Sequence, residues 1–257
     1  MSLGFDALVT EAERAPITGW DFSWLNGRAT EARPSWHYSE RVAERAATAH
    51  RMLELECGDG TLAAAIPRRP DLLVAVEAYK PNLALAATRL PNVIAASADA
   101  LPLRDNSFDL ATCRHPIVAR WSEIARVLEP GGVYFAQHVG PRSVAELSDF
   151  MLGPQSHSDA RDPDKARIDA INAGLEVTDL RSEQLPMTFD DIGAVVYFLR
   201  LVVWIVPGFT VERFRDRLRA LYDQIEIDGP FRATSTRFLI EARKPPRAWE
   251  PSRVATR

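Results

Sequence analysis

The feature that most constrains this chain is an alternation running from residue 51 to 139. Residues 52–55, 71–77, 93–99, 108–113 and 133–138 are predicted strands. Each is a largely continuous apolar run, as expected of strands buried on both faces. Between them, 61–66, 81–90 and 119–128 have helical composition. Pro81 suits a first helical turn, and Leu83, Ala86, Ala87 and Leu90 share one face. Strands alternating with helices of this length imply βαβ units, right-handed crossovers and a parallel sheet. Such sheets bind ligands beyond the carboxyl ends of their strands, where the strand order reverses.

The strand ends carry the chemistry. The first is Met52-Leu53-Glu54-Leu55-Glu56-Cys57-Gly58-Asp59-Gly60, followed at once by a helix start. A strand, a glycine turn and a helix N-terminus bring backbone N–H groups close to a nucleotide-like ligand. Glu77 ends the second strand, where a carboxylate can accept from both hydroxyls of a ribose seated over the first loop. Asp99 ends the third and is a candidate acceptor for an adenine amino group. Strand-end acids are also common as solvated caps, so the reading rests on their agreement with the glycine loop.

These residues resemble the class I S-adenosylmethionine-dependent methyltransferases. The resemblance is carried by Glu54-x-x-x-Gly58-x-Gly60, Glu77, Asp99-Ala-Leu-Pro-Leu-Arg-Asp-Asn-Ser-Phe-Asp109-Leu and Glu123-Ile-Ala-Arg-Val-Leu-Glu-Pro-Gly-Gly132. It covers residues 52–139, and the closest pattern is the type 11 subgroup of small-molecule and quinone-biosynthesis methyltransferases. It implies an α/β, Rossmann-like doubly wound sheet of seven strands, mostly parallel with an antiparallel last strand. It also implies S-adenosyl-L-methionine as cofactor. Carried over position by position, the loop of Glu54, Glu56, Cys57, Gly58 and Gly60 holds the methionine part. Glu77 with Ala78 holds the ribose and Asp99 with Ala100 the adenine; Arg114 is counted with this set.

Glu56 departs from the family pattern, which has glycine there. A glutamate adds bulk and a negative charge, and costs roughly 1 kcal/mol or more if the site needs a positive φ. Two readings follow. In one, the loop binds cofactor and the protein methylates a small, partly apolar molecule by in-line transfer. In the other, it is a non-catalytic binding or partner protein on the same fold. RNA as acceptor is disfavoured: the net charge is −4 and no basic module is appended, although local arginine clusters occur.

Catalysis of methyl transfer needs alignment and exclusion of solvent, and a base only when the acceptor must lose a proton. His115, past the fourth strand, and His138, ending the fifth, are the candidate bases. Arg114 and Arg28 are alternative holders of a carboxylate. No metal is expected: Cys57 and Cys113 fit no zinc spacing and no disulfide framework, so a reducing cytoplasm is the default. The N-terminus lacks a signal peptide's basic start and apolar core. The most apolar run, 192–206, is too short for a bilayer and contains Arg200.

Outside the alternating core, 1–50 is expected to form an aromatic lid carrying Trp24, Arg28, Trp36, His37 and Tyr38, with a helix capped by Ser39. Residues 51–244 form the main domain, with a helical cap inserted at 187–231 that presents Tyr197 and Trp204 to an apolar pocket. Residues 140–160 are expected to be loop, Asp162-Pro163-Asp164 to start a helix, 175–180 and 234–243 to be the last two strands, and 245–257 a polar tail. The expected partner is a small-molecule acceptor, without membrane or nucleic acid, for a monomer or homodimer.

Overall fold

The computed structural model describes residues 4–155 and 159–246. Strands β1 (Ala29–Glu31), β2 (Arg51–Leu55), β3 (Leu72–Glu77), β4 (Val93–Ala95), β5 (Phe108–Arg114), β6 (Leu128–Val139), β7 (Glu176–Phe189) and β8 (Phe231–Arg243) form one sheet in the order β1-β7-β8-β6-β5-β2-β3-β4. The pairs from β4 to β6 are parallel, and β8 runs antiparallel to both β6 and β7. The seven expected strands are all present and the last is the antiparallel one. The eighth, β1, comes from the N-terminal segment and pairs antiparallel with β7.

The helices are α1 (Phe5–Arg14), α2 (Tyr38–Ala46), α3 (Thr61–Ala64), α4 (Lys80–Arg89), α5 (Trp121–Val127), α6 (Ala145–Leu152), α7 (Pro163–Asn172), α8 (Ile192–Leu201) and α9 (Arg215–Asp228). Successive side chains of β2 point to opposite faces of the sheet. Leu53 and Leu55 join Val127, Tyr134 and Phe238 under α5 and α7. Met52 joins Val42, Ala63, Phe135 and Leu239 under α2 and α3. Chain order reverses between β2 and β5, and this places the crevice where the loops after these two strands diverge.

A third core lies beyond the sheet's antiparallel end. There α1, α6, α8 and α9 enclose Phe5, Leu147, Phe198, Leu221 and the far ends of β7 and β8 at Phe189 and Phe231. Every residue of α8 except Arg200 is buried, so it needs cover on all sides. Arg200 itself crosses to α1, donating to the carbonyls of Ala12 and Ala15 at its C-terminal end.

Five expectations shift. Residues 145–152 are helix where loop was expected, because Ala145, Leu147 and Met151 are buried in the third core. The N-terminal segment has its own helix, α1, whose stripe of Phe5, Leu8, Val9 and Ala12 is buried against α8. β7 continues to Phe189, so the inserted segment begins at 190. β4 stops at Ala95, which leaves Asp99 in the turn beyond it. The helix expected from Ser39 starts at Tyr38, with His37 in a left-handed conformation at its N-cap. Asp162 caps α7 as expected, accepting from the N–H groups of Asp164 and Lys165. Most of the predicted tail lies outside the described residues. Among those described, no helix is long and apolar enough to cross a membrane.

Candidate active site

β2 leaves the sheet at Leu55, but Cys57 N–H still donates to the Val76 carbonyl at 3.0 Å, so the first loop stays tied to β3. Glu56, Gly58 and Gly60 have φ of 49°, 60° and 79°. At Gly60 a β-carbon would stand 3.1 Å from the Ala86 Cα, and only glycine lets the start of α3 pack on α4 so closely. At Gly58 a β-carbon would meet nothing within 4 Å; this backbone faces the open crevice. Glu56 takes the left-handed conformation without glycine's freedom, at about 1 kcal/mol or more.

Glu77 closes the loop onto the second strand. Its Oε2 accepts from Gly58 N–H at 2.8 Å and its Oε1 from Tyr79 N–H at 2.7 Å. Each oxygen keeps a lone pair for a further donor. Glu54 lies beneath, fully buried, and accepts a hydrogen bond from the Thr112 hydroxyl. Burial pushes its carboxyl up to about 7, against the opposing pull of Thr112 and Arg114. Burial likewise drives the Cys57 thiol up to about 12, so it is no nucleophile at neutral pH.

The segment after β5 reaches back over this loop. Ile117 N–H donates to Glu56 Oε2 at 2.9 Å, and the Arg120 guanidinium pairs with Asp99, which also accepts from the Ser97 hydroxyl at 2.7 Å. Burial raises the Glu56 carboxyl, and the negative charges of Glu77 and Asp99 add to the effect. Three expected acids therefore converge on one crevice. Between Leu55, Glu56, Cys113, Arg120 and Tyr134 a cavity of about 10 Å³ remains, room for about one water.

The two candidate bases occupy different settings. Trp36 Nε1–H donates to Gln137 Oε1 at 2.8 Å, and the Gln137 amide nitrogen lies 2.9 Å from His115 Nε2. An indole is only a donor, so it fixes the amide's orientation; Gln137 must then donate to His115, whose proton sits on Nδ1. Burial and the cations Arg237 and Arg114 hold His115 well below the usual histidine range, as a neutral ring. His138 is a core residue, stacked on Phe238 at 4.5 Å, and burial lowers it to about 3. Tyr38 is also structural: its hydroxyl donates to the Cys113 carbonyl at 2.9 Å and its ring stacks on Phe135.

The remaining predicted residues divide by location. Trp24 stacks on Tyr197 at 4.8 Å, and the Tyr197 hydroxyl donates to the carbonyls of Pro16 and Asp21. Trp20 meets Trp204 edge-on at 5.5 Å. The N-terminal segment is thus clamped to the inserted helices. Arg28 belongs to this seam: it pairs with Glu11 at 2.7 Å and lies over Trp24. The same segment touches the half of the molecule around α4, because Gly19 sits so close to Asn82 that a β-carbon would lie 2.1 Å from Oδ1. Ala78, Ala100, Arg114 and His37 are exposed. Sequence reasoning missed Thr112, Arg120, Gln137 and Asn82. Thr112 and Gln137 were visible as polar residues inside apolar strands, whereas nothing in the sequence marks Arg120 as the partner of Asp99.

Residues 53–136, about a third of the chain, match the family model described as a methyltransferase domain. No curated protein matches the chain. Among solved structures it is similar to the YcgJ protein of Bacillus subtilis (20% identity, TM-score 0.58, covering 82% of this chain and 99% of that one). It is similar too to a putative methyltransferase from Bacillus halodurans (19%, TM-score 0.57, 80% and 98%) and to the cyclase SpnF (20%, TM-score 0.51, 93% and 94%). The last shows that this fold is not tied to one reaction. Residues 53–136 therefore match a methyltransferase domain, set in a chain whose α/β, Rossmann-like fold is the one that methyltransferases of this kind share.

Proposed function

We propose that this protein binds S-adenosylmethionine over the loop after β2 and methylates a small, partly apolar acceptor by in-line transfer. One observation carries the reading. The Glu77 carboxylate at the end of β3 is drawn onto Gly58 of the first loop, beside an open glycine face, in a crevice lined by acids. When bound, the cofactor supplies an electrophilic methyl carbon on a positively charged sulfur. Glu77 would hold the ribose and Asp99 with Ala100 the adenine, once Arg120 gives up its pair. The Gly58 backbone and the loop around it would take the methionine part. Negative charge at Glu56 and Glu77 favours a cation there.

His115 enters as a neutral ring with its Nε2 lone pair taken by Gln137, so it orients an acceptor through Nδ1–H. An acceptor that is already nucleophilic needs no more than this. Residues 1–50 act as a lid and the helices inserted between β7 and β8, expected at 187–231 and found at 190–230, as a cap on the domain 51–244. Lid and cap are joined by the ring contacts of Trp24 with Tyr197 and Trp20 with Trp204, and the two would move together over a bound acceptor. The two free thiols, Cys57 and Cys113, suit a reducing cytoplasm. Alanine at Glu77 or Asp99 should weaken binding of S-adenosylhomocysteine by about tenfold or more in calorimetric titration. Unchanged affinity in both variants would remove the assignment.

A second reading has its own observation. Glu56 holds Ile117 N–H over the first loop, as a protein that no longer admits cofactor would. Replacing Glu56 by glycine discriminates: binding gained from nothing supports a non-catalytic partner protein, and an active wild type excludes it.

A further inference from the structure

Beside the cofactor crevice, a second cavity of about 230 Å³ opens between the loop after β6, α6 and the chain that follows α8. Its walls include Arg142, Ser143, Ser148, Arg161, Trp204 and Ile205.

Arg161 is half-buried, and among the described residues no carboxylate pairs with it; its one marked contact is the Trp204 ring, 5.4 Å away. Burial without a counter-charge lowers its affinity for its own proton. A guanidinium in that position is costly unless an anion joins it. Ser143 points the same way. Its oxygen accepts from Thr236 N–H and from Arg237 Nη1, both at 3.2 Å, so its hydroxyl hydrogen is left to donate. Arg142 stands at the rim, only 4.0 Å from Asp149.

Behind Ser143 the positive charge continues. Arg237 is neutralised by Glu31, yet it still feels Arg114 and Arg161, and its charge in turn acts on His115. Arg237 therefore links the cavity to the end of β5, where an acceptor would meet the methyl donor. The indole of Trp204 offers a flat apolar wall beside the cations. An ordered anionic group on a planar apolar body matches both features: bidentate contact to Arg161, a hydrogen bond from Ser143 and packing on Trp204.

We infer that this cavity binds the oxyanion of a small acceptor, a carboxylate or phosphate carried on a planar apolar body, with Arg161 and Ser143 as its anchors. The word acceptor rests on the methyl-transfer reading above; the anion site does not.

The test titrates the intact protein, by calorimetry and by tryptophan fluorescence, with benzoate, phenyl phosphate and inorganic phosphate, and with benzamide and benzyl alcohol as uncharged counterparts. The aromatic anions should bind at least about tenfold more tightly than the uncharged compounds, and less tightly at high salt. Arg161→Gln should remove that advantage, about tenfold, and Ser143→Ala a smaller part, while S-adenosylhomocysteine binding changes less than about twofold. Equal affinity for benzoate and benzamide in the wild type overturns the inference without recourse to any variant, as does an undiminished advantage in a folded Arg161→Gln. Anion binding without S-adenosylhomocysteine binding would keep the site and sink the methyl-transfer reading. The reverse would sink the site alone.

Discussion

Two neighbouring regions at the same edge of the sheet carry opposite charge. The crevice after β2 and β3 gathers Glu54, Glu56, Glu77 and Asp99; the cavity after β6 is lined by Arg142 and Arg161, with Arg237 behind Ser143. The manner of satisfaction differs as well. Each acid has a fixed partner: Thr112, Ile117 N–H, Gly58 and Tyr79 N–H, or Arg120. Arg161 has none among its described neighbours but the face of an indole. The difference teaches that the acidic half is preorganised by the protein's own backbone and side chains, whereas the basic half is left to be completed by a ligand. A cationic methyl donor and an anionic acceptor are the pair that such a division would serve.

The comparison breaks most readily at Glu77. Glu77→Ala removes two backbone anchors and the proposed ribose acceptor together. S-adenosylhomocysteine affinity should fall by about 2–3 kcal/mol, more than tenfold, in calorimetry. Glu54 tests whether the acidic half is truly desolvated. Its carboxyl is raised from 4.5 to about 7 in the folded protein. The native state thus retains a proton that the unfolded chain releases, and stability declines as pH rises through that window. Glu54→Gln keeps an oxygen for Thr112 and removes the titration. Urea unfolding at pH 5 and pH 8 should show the wild type losing about 2 kcal/mol more than the variant. Equal slopes would mean the site is wetter than its burial indicates.

How much of this was legible in the sequence differs between the same two halves. Continuous apolar runs and local loop chemistry mark β2, β3, β5 and β6, and Gly58, Gly60 and Glu77 fall where spacing puts them. Those signals are short-range. The third core is not: α1 and α6 are short helices whose stability comes from burial against elements far away in sequence, α8 for the one, β8 and α9 for the other. β1 is three residues long and exists because β7 offers it an edge. His138 looked like His115 at a strand end, but one inward step on the strand places it against Phe238 in the core. Asp99 was legible as an acid; its pairing with Arg120 was not, because a turn beyond β4 brings the two together.

Two smaller effects sharpen the picture. Trp36→Phe deletes the donor that orients Gln137 and should cost about 1–2 kcal/mol. It also frees the amide to turn, so the His115 tautomer, read from imidazole nitrogen shifts by NMR, should become mixed. A tautomer that stays on Nδ1 would show that Trp36 does not set it. The smallest effect is expected for Glu56→Gly. Relief of the left-handed glutamate and loss of the Ile117 hydrogen bond nearly cancel, so stability should change by less than about 1 kcal/mol. Affinity for S-adenosylhomocysteine, whose sulfur carries no charge for Glu56 to attract, should nevertheless rise several-fold, because the segment after β5 is released from the loop. A fall in affinity would make Glu56 a cofactor ligand.

The most direct test of the central claim is calorimetric titration of the folded wild-type protein with S-adenosylmethionine and S-adenosylhomocysteine. The account predicts saturable binding of both in the micromolar range, lost together in Glu77→Ala. No heat from either ligand at millimolar concentration would contradict it, and would leave the acidic crevice as a structural relic closed by Glu56 and Arg120.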